Sequence, residues 1–219
     1  MLVEVWSDVV CPWCYIGKRR FEEALRRLAA DPGFDEEIEI VYRPYQLDPN
    51  APPGTGMPVT EVYARKFGGP AAAEQIIGHV SGIAAEEHLD FRLDRAIRAN
   101  TRDAHRLLWW ARETGPAGAQ DALKERLLRA YFTNGENVAD PDVLARCAAD
   151  VGLDGEAARA VMSDDTGAAE LTESLAFAAE AEITAVPTYV IDGRWSIPGA
   201  QDPDTFVQVL TRLAARDRD

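Results

Sequence analysis

Cys11 and Cys14 stand three positions apart, separated by Pro12 and Trp13, directly after an apolar run and at the head of an amphipathic stretch. Two thiols at this spacing suit either reversible disulfide exchange or half of a metal site. A zinc site needs a second Cys-x-x-Cys or a spaced His pair. The remaining cysteine is Cys147, in an Ala-rich stretch where it reads as a small buried residue, and His79, His88 and His105 have no ligand spacing relative to one another. The pattern therefore favours redox chemistry, with no metal and no bound cofactor.

The position of each thiol assigns its part. Proline is favoured at the first helical position, so Pro12 makes Cys11 the expected N-cap, its sulfur before free backbone N–H groups and the positive end of the helix dipole. Both favour the thiolate. Cys14 shares a stripe with Phe21, Leu25 and Leu28 and is expected to be the buried, resolving thiol. Cys11 then forms the mixed disulfide with a substrate, and Cys14 closes or opens the internal one. Trp13 is expected to be exposed, offering apolar surface to clients. Asp8, three residues before Cys11, is either a proton-transfer group or a solvated turn residue. A second candidate component is Val186-Pro187, at the start of a strand-like run. Pro187 is either an ordinary strand-start proline or a cis-proline, and a cis bond would leave the Val186 backbone free to pair with a substrate chain beside Cys11.

The elements that must position these residues are legible as patterns. Leu2 to Trp6 reads as a buried strand, Pro12 onward as a helix ended by Asp31-Pro32-Gly33, and Ile38 to Tyr42 as a second strand, giving strand-helix-strand with a parallel crossover. Lys18, Arg19 and their charged neighbours fall largely off the apolar stripe. Asp48 to Pro58 is a Pro- and Gly-rich linker. Between about Val59 and Met162 there is no convincing strand, but helical patterns run from Thr101 to Thr114, from Ala119 to Phe132, and from Pro141 with Asp140 as cap. Trp109 and Trp110, being adjacent, read as packing residues. A helix is expected over Gly167 to Glu180, then a hairpin of Thr188 to Ile191 and Arg194 to Ile197 about Asp192-Gly193, then a final helix capped at Asp202-Pro203. These patterns imply an α/β fold: a mixed sheet built by residues 1–50 and 165–219, interrupted by a helical insertion over 51–164.

The totals narrow the function classes. A chain of 219 residues with 47% apolar residues sustains a proper core, and a net charge of -14 opposes binding to nucleic acid or anionic membranes. Met1 to Trp6 has neither the basic leader nor the long apolar stretch of a signal peptide, and no segment has the roughly 18 apolar residues of a membrane span. A cytoplasmic location is the expectation.

At this point the chain resembles a family. Cys-Pro-Trp-Cys at the start of the first helix, Val186-Pro187-Thr188 before a hairpin, the helical middle and the tail Ile197-Pro198-Gly199-Ala200-Gln201 look like the DsbA-like thioredoxin superfamily. Trp6-Ser7-Asp8, Arg43 to Pro49, Asn100 to Leu107 and Ala130-Tyr131-Phe132 are similar to recurrent stretches of its cytoplasmic FrnE-like branch of disulfide oxidoreductases and isomerases, so the resemblance covers nearly the whole chain. It implies a thioredoxin-like fold with a large helical insertion, Cys11 as nucleophile, Cys14 as resolving thiol, Val186-Pro187 as a cis-proline substrate loop, and His105 in a segment lining the cleft. One departure matters: many thioredoxin-fold enzymes carry a buried acid six residues before the first cysteine, where this chain has Val5. Glu4 and Asp8 are then the candidates for proton transfer to Cys14.

The expected activity is thiol-disulfide exchange, with isomerase activity as a variant, on cysteine-containing proteins or small thiols, glutathione included as a co-substrate. Two other classes compete: a glutathione-dependent isomerase or transferase of small aromatic compounds, of the hydroxychromene-carboxylate isomerase or kappa-class type, and a client-binding chaperone-like module. A tailoring role in polyketide biosynthesis is a further variant raised by the resemblance. The sequence sets no oligomeric state. Pro12-Trp13 places no extra cation between the thiols, so the redox couple is expected in the reducing-to-middle part of the span from about -270 mV for thioredoxin to about -120 mV for DsbA. Equilibration against glutathione measures it, and a value near the DsbA end would refute the expectation.

Overall fold

Buried Val3 and Val5 alternate with partly exposed Leu2 and Glu4 along β1 (Leu2–Ser7), which runs through the interior of a four-stranded sheet. The computed structural model describes residues 1–54 and 56–216, and its strands lie in the order β2-β1-β3-β4. Thr55 of the expected linker and residues 217–219 of the back half lie outside the described residues. β2 (Glu39–Pro44) is parallel to β1, with Val5 opposite Tyr42. β3 (Thr188–Ile191) is antiparallel to β1, with Val5 opposite Tyr189, and β4 (Trp195–Pro198) pairs with β3 at the edge. The two ends of the chain therefore meet along β1.

The hairpin differs in detail from its sequence pattern. Ile191 pairs with Trp195, so three residues intervene and β4 starts one residue later than expected. Asp192 and Gly193 both take left-handed φ values, 48° and 64°, and Arg194 N–H donates to Ile191 O. Asp192 is also tied to the sheet: its Oδ1 accepts from Leu2 N at 2.7 Å.

α1 (Pro12–Ala29) begins at Pro12 as the pattern requires and buries Cys14, Phe21, Ala24 and Leu28. It serves two apolar cores. Phe21 and Leu28 pack with the sheet and with Phe206 and Leu210 of the last described helix, α9 (Pro203–Arg216). Tyr15 and Ile16 pack instead with the helical middle, where Tyr15 meets Phe91 and Phe132. Lys18 lies off the apolar stripe and is nonetheless buried, because this side of α1 is covered by another helix. Lys18 is 4% exposed and pairs with Glu22, with Asp121 at 3.0 Å and with Glu125 at 3.5 Å.

The middle comprises α2 (Val59–Phe67), α3 (Pro70–Glu86), α4 (Arg102–Thr114), α5 (Ala119–Arg129), α6 (Pro141–Asp150) and α7 (Gly155–Ser163). α8 (Ala168–Glu180) then leads back to β3, and α9 (Pro203–Arg216) ends the described chain. Asp140 caps α6 through Asp142 N at 2.8 Å. The helical pattern expected through Phe132 leaves α geometry at Ala130 and continues as a π-helical turn, Ala130–Asn134, which buries Tyr131 and Phe132. Cys147 is fully buried on α6, where burial pushes its thiol up to about 11. Trp109 lies against Gly167, and Trp110 packs on the helical core.

Two packing features generate stability predictions. α1 passes so near the loop before β3 that a Cβ on Gly17 would stand 2.8 Å from Tyr189 Oη and 3.0 Å from Pro187 Cγ. Gly17→Ala, which in an open helix gains about 1 kcal/mol, is expected instead to cost about 1–3 kcal/mol; an unchanged or raised urea midpoint would contradict the crowding. Arg106 is buried on α4 and donates to Thr166 O at 2.9 Å, to Val161 O at 2.5 Å and to Asp164 O, tying down the connection from α7 to α8. Arg106→Met strips these carbonyls of their donor and is expected to cost about 3 kcal/mol in denaturant unfolding.

Candidate active site

The chain leaves β1 through the turn Asp8-Val9-Val10, which closes by a hydrogen bond from Cys11 N to Asp8 O at 3.3 Å. Cys11 has extended backbone angles (φ -89°, ψ 115°) and is the N-cap of α1. Its Sγ donates to Val186 O at 3.7 Å, and the Val186–Pro187 bond is cis. Gly199 N–H in turn donates to Pro187 O at 2.7 Å, holding this loop against the end of β4. The helix start and the proline loop, 175 residues apart in sequence, thus share one spot.

Cys14 lies one turn into α1, and all three cysteines are free thiols. Its thiol is held well above the ordinary 9.0, first by burial, then by its hydrogen bond to Cys11 and by that neighbour's charge. Lys124 and a backbone hydrogen bond from Asp8 act in the opposite direction. At neutral pH Cys14 therefore keeps its proton.

Asp8 is not a solvated turn residue. It is fully buried, its Oδ2 accepts from Leu47 N at 2.8 Å, and its Oδ1 lies 3.2 Å from His105 Nε2. That same nitrogen lies 3.0 Å from Tyr45 O, which can only accept, so His105 carries its proton on Nε2. His105 is placed behind the turn by α4 and is absent from the lining of the cleft at Cys11, in contrast to the expectation from resemblance. Glu4 is also occupied elsewhere, by Arg43 Nη2 at 2.6 Å, and Val5 lies in the sheet core with Phe21 and Tyr189.

A group that pattern reading passed over is Lys124. β2 is an edge strand, and Gln120 of α5 satisfies its outer side: Gln120 Oε1 accepts from Tyr42 N at 2.9 Å and Nε2 donates to Tyr42 O at 3.0 Å. One helical turn on, Lys124 is fully buried over the Tyr42 ring at 5.6 Å, and its Nζ has no hydrogen-bond partner among the described residues. Burial pushes the ammonium down, against the charges of Cys14, Asp8 and Cys11. The signal available in sequence was its place on the stripe Gln120, Leu123, Lys124, Leu127.

Above the thiols opens a cleft of about 580 Å³, lined by Cys11 and Trp13 on one side, Tyr63 and Phe67 of α2 and Ile76 of α3 on another, and Val186 below. Trp13 is 39% exposed, and His79 also faces the cleft. The Tyr63 phenol is pushed up to about 12 by burial and by the charge of Cys11. No Lys or Arg lines the cleft among the described residues, and none of these residues form a group of three or more His, Cys, Asp or Glu able to hold a metal ion.

The whole arrangement has counterparts in known proteins. A probable DsbA oxidoreductase from Streptomyces coelicolor is 36% identical, superposes with a TM-score of 0.88, and is matched over 92% of its length by all of this chain. The cytosolic disulfide reductase DsbM from Pseudomonas aeruginosa, solved with GSH, is 17% identical with a TM-score of 0.66 over 97% of this chain and 98% of that one. A 2-hydroxychromene-2-carboxylate isomerase is 18% identical with a TM-score of 0.67 over 100% and 98% of the two chains. At such identities the last two share the fold. A model of the DSBA-like thioredoxin domain matches residues 2–211, from β1 into α9. The chain therefore belongs to the DSBA-like thioredoxin domain family, whose oxidoreductases act on thiol or cysteine-containing substrates.

Proposed function

We propose that the protein is a cytoplasmic thiol-disulfide oxidoreductase of the FrnE-like branch that exchanges disulfides with cysteine-containing polypeptides through Cys11 and Cys14. The observation that carries this reading is the meeting of Cys11 Sγ, at a helix N-cap, with Val186 O at the base of an apolar cleft, while Cys14 waits protonated one turn beneath. Cys11 as thiolate attacks a sulfur of a substrate disulfide, forming a mixed disulfide and expelling one substrate thiolate. Cys14 then attacks Cys11 Sγ, the mixed bond breaks, and the second substrate thiol leaves. The substrate gains two electrons and the dithiol becomes a disulfide; the reverse sequence oxidises a substrate, and incomplete resolution permits isomerisation.

Pro12 and Trp13 set the spacing and the apolar rim, Val186 and Pro187 form the substrate loop, and Asp8 and His105 hold the turn behind Cys11. Residues 1–50 and 165–219 act as a discontinuous thioredoxin-like domain, with 51–164 as its helical insertion. An apolar lining without Lys or Arg favours an extended polypeptide over glutathione, whose carboxylates would find no cation there. The fold shared with the chromene carboxylate isomerase supports a glutathione-dependent isomerase as a second reading, against which stands the complete dithiol.

Insulin reduction and refolding of scrambled ribonuclease test the reading. Cys11→Ala is expected to lower both rates by at least about a hundredfold, and Cys14→Ser to accumulate a client mixed disulfide visible by mass. Equal activity of wild type and Cys11→Ala would sink it. Conversion of a chromene carboxylate with glutathione by Cys14→Ser would favour the isomerase, and suppression of aggregation surviving loss of both thiols would favour a chaperone-like module.

A further inference from the structure

We propose that Lys124 is the proton acceptor for Cys14 in the resolving step. The inference rests on the dithiol reading above and supplies what that reading lacks. A buried thiol that keeps its proton cannot attack Cys11 Sγ until some group removes it. The acid position of β1 is Val5, Glu4 is engaged by Arg43, and both oxygens of Asp8 are engaged by Leu47 N and His105 Nε2. Tyr189 Oη is buried without a partner among the described residues, but burial holds its phenolic proton in place, so it is a donor and no base.

Lys124 Nζ has the opposite character. It is buried with no hydrogen-bond partner among the described residues, on the stretch of α5 whose Asp121 and Glu125 hold Lys18, one turn along α1 from Cys14, and an amine in that condition loses its proton more readily than one in water. The ring of Tyr42 on β2 lies against it, and Cys11, Cys14 and Lys18 of the α1 region and Asp8 of the preceding turn act on it electrostatically. On its own helix, Asp121 and Glu125 are committed to Lys18, Arg19, Tyr15 and Tyr42. Gln120, anchored to both backbone groups of Tyr42, fixes the turn of α5 that carries the amine.

With the mixed disulfide formed, neutral Lys124 takes the Cys14 proton through one bridging water, since its Nζ makes no hydrogen bond to the Cys14 sulfur. The Cys14 sulfur electron pair forms the bond to Cys11 Sγ while the bond from Cys11 to the substrate sulfur breaks. The leaving thiolate takes a proton from solvent, and the Lys124 ammonium returns its proton to solvent or to Cys14 in the reverse reaction.

Reaction with 5,5′-dithiobis(2-nitrobenzoate) in a Cys147→Ala background separates the two events, because Cys11 attack releases the first nitrothiobenzoate and Cys14 resolution releases the second. Lys124→Met is expected to slow the second release by at least about tenfold at pH 7, with much less effect on the first. Its rate should then climb with pH as Cys14 ionises unaided. Lys124→Arg, which keeps the charge but has no basic lone pair, should not restore it. A wild-type second phase in Lys124→Met, or its rescue by Arg, would overturn the proposal. Two retained nitrothiobenzoate adducts in place of an internal disulfide in the parent protein would instead bring down the dithiol reading itself.

Should both variants fail to fold, the parent protein still decides. The chain has three lysines, so carbon-13 labelling at lysine Cε gives three signals. That of Lys124 is expected to deprotonate at lower pH than those of Lys18 and exposed Lys66, with a midpoint that differs between dithiol and disulfide forms. A Lys124 amine that stays charged to the same pH as Lys66 in both forms would reject its role as a base.

Discussion

A carboxylate placed where no water reaches it must be matched by donors or charges, or it destabilises the fold by several kcal/mol. Asp8 is such a group, and its matching comes from two distant segments: Leu47 N after β2 and His105 on α4. The turn that presents Cys11 is therefore settled only when the helical middle packs against it. The middle of the chain supplies the back wall of the site as well as the far side of the cleft.

α1 transmits this dependence. Its N-terminus carries both thiols, one side packs in the sheet core and another in the helical core, and Gly17 lets it approach Pro187 and Tyr189. Lys18 and Arg19, with Glu22, Asp121 and Glu125, tie the same helix to α5. A shift of α5 would therefore move the amine, the helix and the thiols together. Gln120 resists that shift by closing the outer edge of β2, a place where unpaired backbone groups would otherwise face an apolar helix.

What was legible in the sequence was local. The dithiol after a strand, Pro12 at the helix start, a second strand near Ile38 to Tyr42 and the Asp192-Gly193 reversal depend on neighbours in sequence, and the structure contains each of them. The pattern did not decide between trans and cis at Pro187, because that choice is made by the surrounding chain. It gave no sign that Lys18 would be buried and left Asp8 undecided, since a charged residue on a helix or in a turn is usually solvated and only the arrival of α4 and α5 makes these positions interior. Lys124 was invisible for the same reason. The three-residue hairpin loop and the π turn after α5 are adjustments of one residue, below what periodicity resolves.

The charges around the thiols are divided by depth, and that division separates two tasks. On the α5 side of the dithiol sits the Lys124 amine, buried and without a hydrogen-bond partner among the described residues. Above it, the cleft presents Trp13, Tyr63, Phe67, Ile76 and Val186 and neither Lys nor Arg among the described residues. A cation in the cleft would serve recognition of an anionic substrate, and it would also stabilise thiolate and leaving group alike. On the proposed roles, an amine buried on the Cys14 side bears on the second thiol while the entrance stays apolar, so the strength of substrate binding and the readiness of that thiol are set by different residues and can vary independently.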